Sequence, residues 1–311
     1  MSHFDFDAAV VAPFRMQPGL RRLGPGRPQL TPLAAGSRHQ RAKLEVLSNF
    51  PGSALVARAG FDPAPALAAL ARHAATEHPA AWSWDGRRAC AHRLGIAVGD
   101  RGELEPLASG CCSQTWRCLQ ALPADWRLAA TLSLAFAEDF AFVDAADGSV
   151  PWIAAALPSH WAPAAKVGRR LAEIHAPVAD NTLLLQASDA LVRLASASER
   201  WERFVWNVTA HGGLDAHPER VRRDGWSTTP VERAWWRTER QTFVPLPEAR
   251  QAVFTIAVEV EPLADAVDTP GRAARLHAAI ASMSAAVLDY RGLAPVRNAL
   301  LDWLAARSLP A

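Results

Sequence analysis

His175 stands near the end of the stretch PSHWAPAAKVGRRLAEIHAPVADN, directly against Ala176 and Pro177, with Lys166, Arg169 and Arg170 on the turns before it. The segment predicts one short helix, 163–175, entered through Pro163 and closed at His175. A histidine in that place can be a satisfied structural residue, a charge facing the helix dipole, a general base or a metal ligand. The residues alone leave all four open. Upstream, AFAEDFAFVD sets Glu138 and Asp139 side by side in an apolar strand. Two-residue alternation sends one carboxylate to each face, and a carboxylate that is buried needs a partner or a function. The plainer alternative is a strand-end charge with a local arginine. In WWRTERQTF, Arg237, Glu239 and Gln241 share one strand face, with Trp236, Thr238, Arg240 and Thr242 on the other. Two arginines beside aromatic rings can clamp a carboxylate or phosphate with forked, charge-assisted bonds. Cross-strand ion pairs on an exposed sheet are their more ordinary use.

Other chemistry is less supported. His73 and His78 are five residues apart on a predicted helix, so they fall on different faces and do not form a paired metal site. No GxSxG elbow, HExxH, P-loop or strand-linked GxGxxG occurs. Cys90, Cys111, Cys112 and Cys118 have neither CxxC nor CxxCH spacing and read as reduced thiols. With 33 basic and 31 acidic side chains the net charge is +2, too small a field to hold a nucleic-acid backbone. No apolar run reaches the roughly 18 residues of a membrane span, and Asp5 and Asp7 stand where a signal peptide would be basic. The expected compartment is the cytoplasm.

The elements that must position these residues are legible in outline. Half of the chain is hydrophobic, enough for a large core. A Pro/Gly/Arg-rich arm precedes a short helix in HQRAKLEVLSNF. A second helix follows in DPAPALAALARHAATEHP, with Asp62 as N-cap and Pro63 at its first position. From WRLAATLSLAF to LPSHW the pattern predicts a β-hairpin turning at DAADGS. Then come helix 163–175 and a second helix through Leu184, Leu185, Ala190, Leu191 and Leu194. Strands return in RFVWNVTA, ERAWWRTERQTFVPLP and QAVFTIAVEVEPL, the last two suited to a long antiparallel hairpin. TPGRAARLHAAIASMSAAVLDY and APVRNALLDWLAARS predict C-terminal helices. The order gives an α+β fold, an antiparallel sheet with helices inserted between its first two and last three strands.

Several of these stretches together resemble the alpha (haem) subunit of haem-dependent oxidative N-demethylase. They are Pro13–Met16 (PFRM); Glu138 and Asp139; Pro158, Ser159 and Trp161; Lys166 and Gly168; Ile174–Val178 (IHAPV); Glu239–Thr242 (ERQT); and Val253–Ile256 (VFTI). The resemblance implies a PAS-like α+β domain over 126–311 holding b-type haem without a covalent link. Residues 1–125 would form an N-terminal arm and helical wrapping region, the whole making one unit. It implies His175 as the axial iron ligand. By chemistry, Arg237 and Arg240 would then meet the haem propionates, and Glu138 or Asp139 would anchor a cationic amine. The implied reaction is oxidation of a small secondary amine, dimethylamine, by O2, with electrons from NADPH through a separate flavin and iron–sulfur reductase. That fits a chain lacking a dinucleotide motif and a cysteine cluster of its own. The alternative is a haem-based sensor or carrier of the same fold without catalysis.

Overall fold

The computed structural model describes residues 4–108, 110–221 and 225–309. Helices α1 (Phe6–Ala9), α2 (Arg38–Asn49) and α3 (Pro51–Ala54), with strands β1 (Arg21–Arg22) and β2 (Leu55–Ala57), make up the N-terminal region. Helix α4 (Ala64–Glu77) leads into a meander of short strands, β3 (Trp82–Trp84), β4 (Arg88–Ala91), β5 (Ile96–Gly99) and β6 (Leu104–Pro106). Helices α5 (Ser113–Ala121) and α6 (Ala124–Ala135) follow. The hairpin β7 (Glu138–Asp144) and β8 (Trp152–Ala154) comes next, and then helices α7 (Leu171–His175) and α8 (Thr182–Ser196). Strands β9 (Trp201–Thr209), β10 (Trp235–Leu246) and β11 (Gln251–Pro262) complete the main sheet. Helices α9 (Leu263–Ala266), α10 (Pro270–Ala281), α11 (Ala285–Tyr290) and α12 (Arg297–Arg307) close the chain.

The main sheet has seven strands in the order β1-β9-β10-β11-β7-β8-β2, every pairing antiparallel. The α+β class, the long β10–β11 hairpin and the placing of helical segments between β8 and β9 stand as the sequence predicts. Register runs unbroken from Trp235↔Pro262 to Leu246↔Gln251. The turn is made by Pro247–Ala249 and by Arg250 in the left-handed region (φ 51°). One sheet face carries Phe140, Phe142, Trp152, Val244 and Val253 against Leu67, Leu70 and Ala74 of α4. Trp206, Val208 and Trp236 on that same face meet the C-terminal helices. The other face carries Ala141, Ile153 and Phe254, covered by Trp161, Val167, Leu171 and Ile174. The segment bearing His175 lies on this second face.

Three predicted elements differ. Residues 126–135 are helix α6 and not a strand. Leu128, Ala129, Ala130, Leu132 and Leu134 are all buried, and so are Thr131 and Ser133, so the helix is covered on every side and shows no 3.6-residue stripe. The predicted helix 163–175 is broken: a 3-10 turn spans Pro163–Ala165 and only Leu171–His175 is α-helical. Gly168 has a positive φ of 79°. Residues 168–171 then pair with the β7–β8 turn through Gly168 N–H to Val150 O, Val150 N–H to Arg169 O and Leu171 N–H to Gly148 O, each 2.9 Å. The first C-terminal helix is divided into α10 and α11 at Ser284, whose hydroxyl accepts from Val287 N–H. The β3–β6 meander was not anticipated, because strands of three or four residues carry little periodicity. At the start of α4, Asp62 Oδ1 accepts from Ala64 N–H at 3.0 Å, with Pro63 itself at the N-cap.

Candidate functional site

Cross-strand register sets the chemistry of the second face, since directly paired residues point the same way. One row runs Arg203–Gln241–Ile256–Asp139 across β9, β10, β11 and β7. The next is Val205–Glu239–Val258, and the third Asn207–Arg237–Val260. Glu239 is buried and its Oε2 accepts from Gln241 Nε2 at 2.5 Å. Arg203 has a buried Nε with no hydrogen-bond partner. Burial pulls its guanidinium down from the usual arginine range, and the charge of Glu239 opposes that pull.

His175 is held over this face by a short, locally determined segment. Glu173 accepts from Arg170 N–H at 2.8 Å, closing the first turn of α7. Ile174 and Leu171 pack on the apolar part of the sheet. After the helix, Val178 N–H and Asn181 Nδ2 donate to His175 O at 3.0 and 3.3 Å, and Asn181 Nδ2 also donates to Ala176 O at 2.7 Å. The ring is half-buried and its Nδ1 is buried without a partner. Burial, then the charges of Arg203 and Lys166, pushes the imidazole down to about 4. It is therefore neutral at pH 7. Two of its four possible roles fall away: a neutral ring gives no charge to the helix end, and an unpartnered nitrogen is not a satisfied structural one. A base or a ligand remains. Lys166 reaches Ile174 O at 3.5 Å and is itself lowered by burial and by Arg169.

Glu138 and Asp139 face opposite ways. Asp139 is on the His175 side, with its Oδ1 3.1 Å from Lys43 Nζ and its Oδ2 accepting from Leu157 N–H at 2.7 Å. Lys43 is fully buried and also donates to the carbonyls of Phe136 and Glu138. Glu138 lies on the far side, opposite Ala257. Its Oε2 accepts from Thr31 N–H at 2.9 Å and its Oε1 is buried without a partner. Burial raises its carboxyl to about 7.

The two arginines of β10 also part company. Arg237 faces the His175 side, but its donors meet Ser159 Oγ and the carbonyls of Gly213, Pro158 and Leu214 at 2.7–3.2 Å. Burial lowers it to about 10. Arg240 is on the opposite face, paired with Glu202 at 3.0 Å and donating to Pro28 O. His73 lies 3.2 Å from Glu77, and His78 bonds Leu30 O at 2.7 Å with Glu77 3.8 Å away. The four cysteines are free thiols. Among the described residues no helix is long and apolar enough to cross a membrane. His160 has a left-handed backbone (φ 63°) and its ring meets His211 edge-on at 5.4 Å.

Sequence reasoning missed Arg203. Its only signal is alternation along WERFVWNVT, which puts Arg203, Val205 and Asn207 on one face once Trp206 is taken as facing the core. The match to known families spans the same elements. Residues 113–301 fit the model described as haem-dependent oxidative N-demethylase, alpha subunit-like, a description that carries haem dependence in its name. That span holds β7 to β11, α7 and α8, and covers more than half of the chain. A chain with this much of its length in register with that model, including the face that bears His175, belongs to the haem-dependent oxidative N-demethylase alpha-subunit-like family.

Proposed function

We propose that the chain binds haem on the sheet face of Arg203, Glu239 and Gln241, with His175 as the axial ligand, and oxidises a small secondary amine there. The observation that carries this is the buried, unpartnered Nδ1 of a neutral His175, beside a guanidinium with an unused buried Nε. Unmet buried polar atoms are costly, and a neutral imidazole is the form that ligates iron. A PAS-like reading is supported by the strand order β8-β7-β11-β10-β9, with α7 and α8 inserted between β8 and β9. The haem would be b-type and non-covalent. Its propionates need cations with donors to give. Arg203 has one, whereas Arg237 and Arg240 already hold protein acceptors. We therefore put a propionate at Arg203 ahead of the other two.

When bound, haem supplies the activation of O2 and the one-electron steps. The overall change is secondary amine plus O2, two electrons and two protons, giving primary amine, formaldehyde and water. Dimethylamine is the substrate we favour, and the electrons would come from NADPH through a separate flavin and iron–sulfur reductase. The chain's own part is to bind and orient an ammonium and to exclude water. Asp139, on the His175 side, is the better anchor of the adjacent pair, held in place by Lys43 and Leu157 N–H. Glu239 is a second carboxylate on that face. A haem-binding role without turnover is the second reading, favoured by one contact: the charge of Asp139 is already balanced by Lys43.

Reconstitution of the apoprotein with haemin, followed by titration with dimethylamine, tests both. Wild type should show a Soret band that amines perturb, and Asp139→Asn should keep the band and lose the perturbation. A Soret band that ignores every amine and responds to CO or NO would favour the non-catalytic reading. No haem uptake at all would end both.

A further inference from the structure

Arg291, at the C-terminal end of α11, is another guanidinium with unused donors, and among the described residues it alone has two buried nitrogens without a partner. Its Nη2 donates to Trp206 O, and Asn207 Nδ2 donates back to Arg291 O at 3.1 Å. These contacts fix the residue on the edge of β9. Beyond Trp201 and Glu202, that edge is not extended by β1. The guanidinium carbon lies 4.6 Å from the Trp206 ring centroid and 4.8 Å from that of Phe14, so aromatic rings wall it. Nε and Nη1 are buried with no partner, and so is Oδ1 of Asn207, whose Nδ2 holds the Arg291 carbonyl. Ring contacts compensate a cation only in part, and leaving a buried charge without an anion is unfavourable. Burial accordingly lowers this guanidinium to about 10. Phe14 also lines a pocket of about 350 Å³ with Arg15, Asp180, Ser282 and Ser284, where the Asp180 carboxylate accepts from the Ser284 hydroxyl at 2.7 Å. The same side chain thus touches both the guanidinium and a space able to admit a small group.

We propose that Arg291, positioned by Asn207, is a carboxylate anchor at the open edge of β9. The flat edge between two aromatic walls suits a planar carboxylate better than a tetrahedral phosphate. The carboxylate is either an acid side chain of the haem or a small free anion, and the first source rests on the function proposed above.

Haem loss to excess apomyoglobin, measured on the reconstituted full chain, separates the sources. With a haem carboxylate at Arg291, Arg291→Gln should lose haem about 10- to 100-fold faster than wild type. Haemin dimethyl ester, which lacks the charges, should leave both proteins at the same rate. With a free carboxylate, haem loss is unchanged, but acetate raises the melting temperature of wild-type apoprotein and not of Arg291→Gln. Either pattern supports the anchor. The melting temperature of the haem-free variant guards against trivial misfolding, because removing an unpaired buried charge should leave it equal to wild type or higher. Arg291→Lys should recover part of the lost retention. Equal haem loss together with no acetate effect would reduce Arg291 to a packing residue between Phe14 and Trp206 and overturn the proposal. Wild type that takes up no haem would defeat the proposed function while the acetate arm still decides Arg291.

Discussion

Glu138→Gln separates the two adjacent carboxylates on energetic grounds. In the folded chain Glu138 is buried, with Oε1 unpartnered, and its carboxyl is raised from 4.5 to about 7. Between these values the unfolded chain has released the proton and the folded chain still holds it. Folding stability therefore falls as pH rises through that window; it is fully present below about 4.5 and lost above about 7. At about 1.36 kcal/mol per pH unit, the loss is on the order of 3 kcal/mol. Glutamine preserves the acceptor for Thr31 N–H and removes the titration, at a cost of about 1 to 3 kcal/mol for placing an amide N–H where Oε1 now lies. The variant should thus be less stable than wild type at pH 4.5 and close to it, or more stable, at pH 8. Urea unfolding at half-unit intervals from pH 4.5 to 8 gives the difference curve directly. Parallel stability profiles for the two proteins would refute the assignment of Glu138 to the buried far face. Because that face is turned from His175, haem content and amine response should be unchanged in this variant.

Arg203→Met should weaken haem retention about 10- to 100-fold, read as haem transfer to apomyoglobin. It should also raise the His175 pKa in the apoprotein, measurable by NMR, since one of the charges depressing it is gone. The depressed His175 pKa makes haem-free wild type lose stability as pH falls from about 6.5 toward 4, the range where only the unfolded chain takes up the proton. His175→Phe should flatten that limb of the urea-unfolding profile. Lys43→Met leaves Asp139 buried without its cation and should destabilise the fold by about 3 to 5 kcal/mol in urea unfolding at pH 7. A loss under 1 kcal/mol would mean that the contact is solvated.

The β10–β11 hairpin was legible because alternation, a proline-marked turn and β-branched residues agree along its whole length. Helix α6 was misread because burial on all sides erased the stripe that distinguishes a helix from a strand. His175 was visible through its neighbours. The break at Gly168 that sets α7 apart depends on hydrogen bonds to Val150 and Gly148, which no local pattern encodes. Alternation foresaw that Glu138 and Asp139 face apart, but the side on which each lies follows from the pairing with β11. Arg237 and Arg240 were attractive from their aromatic neighbours alone. Only the folded chain brings the carbonyls of Pro158, Gly213 and Leu214 to one and Glu202 to the other. Arg203 and Arg291 gave no such signal, because what marks them is the absence of a hydrogen-bond partner at a buried atom.

Resonance Raman spectroscopy of the ferrous, haem-reconstituted protein bears most directly on the role of His175. An iron–histidine stretching band is expected, shifting when the protein is labelled with 15N-histidine. It should vanish in His175→Gly and return when imidazole is added to that variant. A band that persists in His175→Gly without imidazole, and is lost instead in His160→Gly or His211→Gly, would contradict the account.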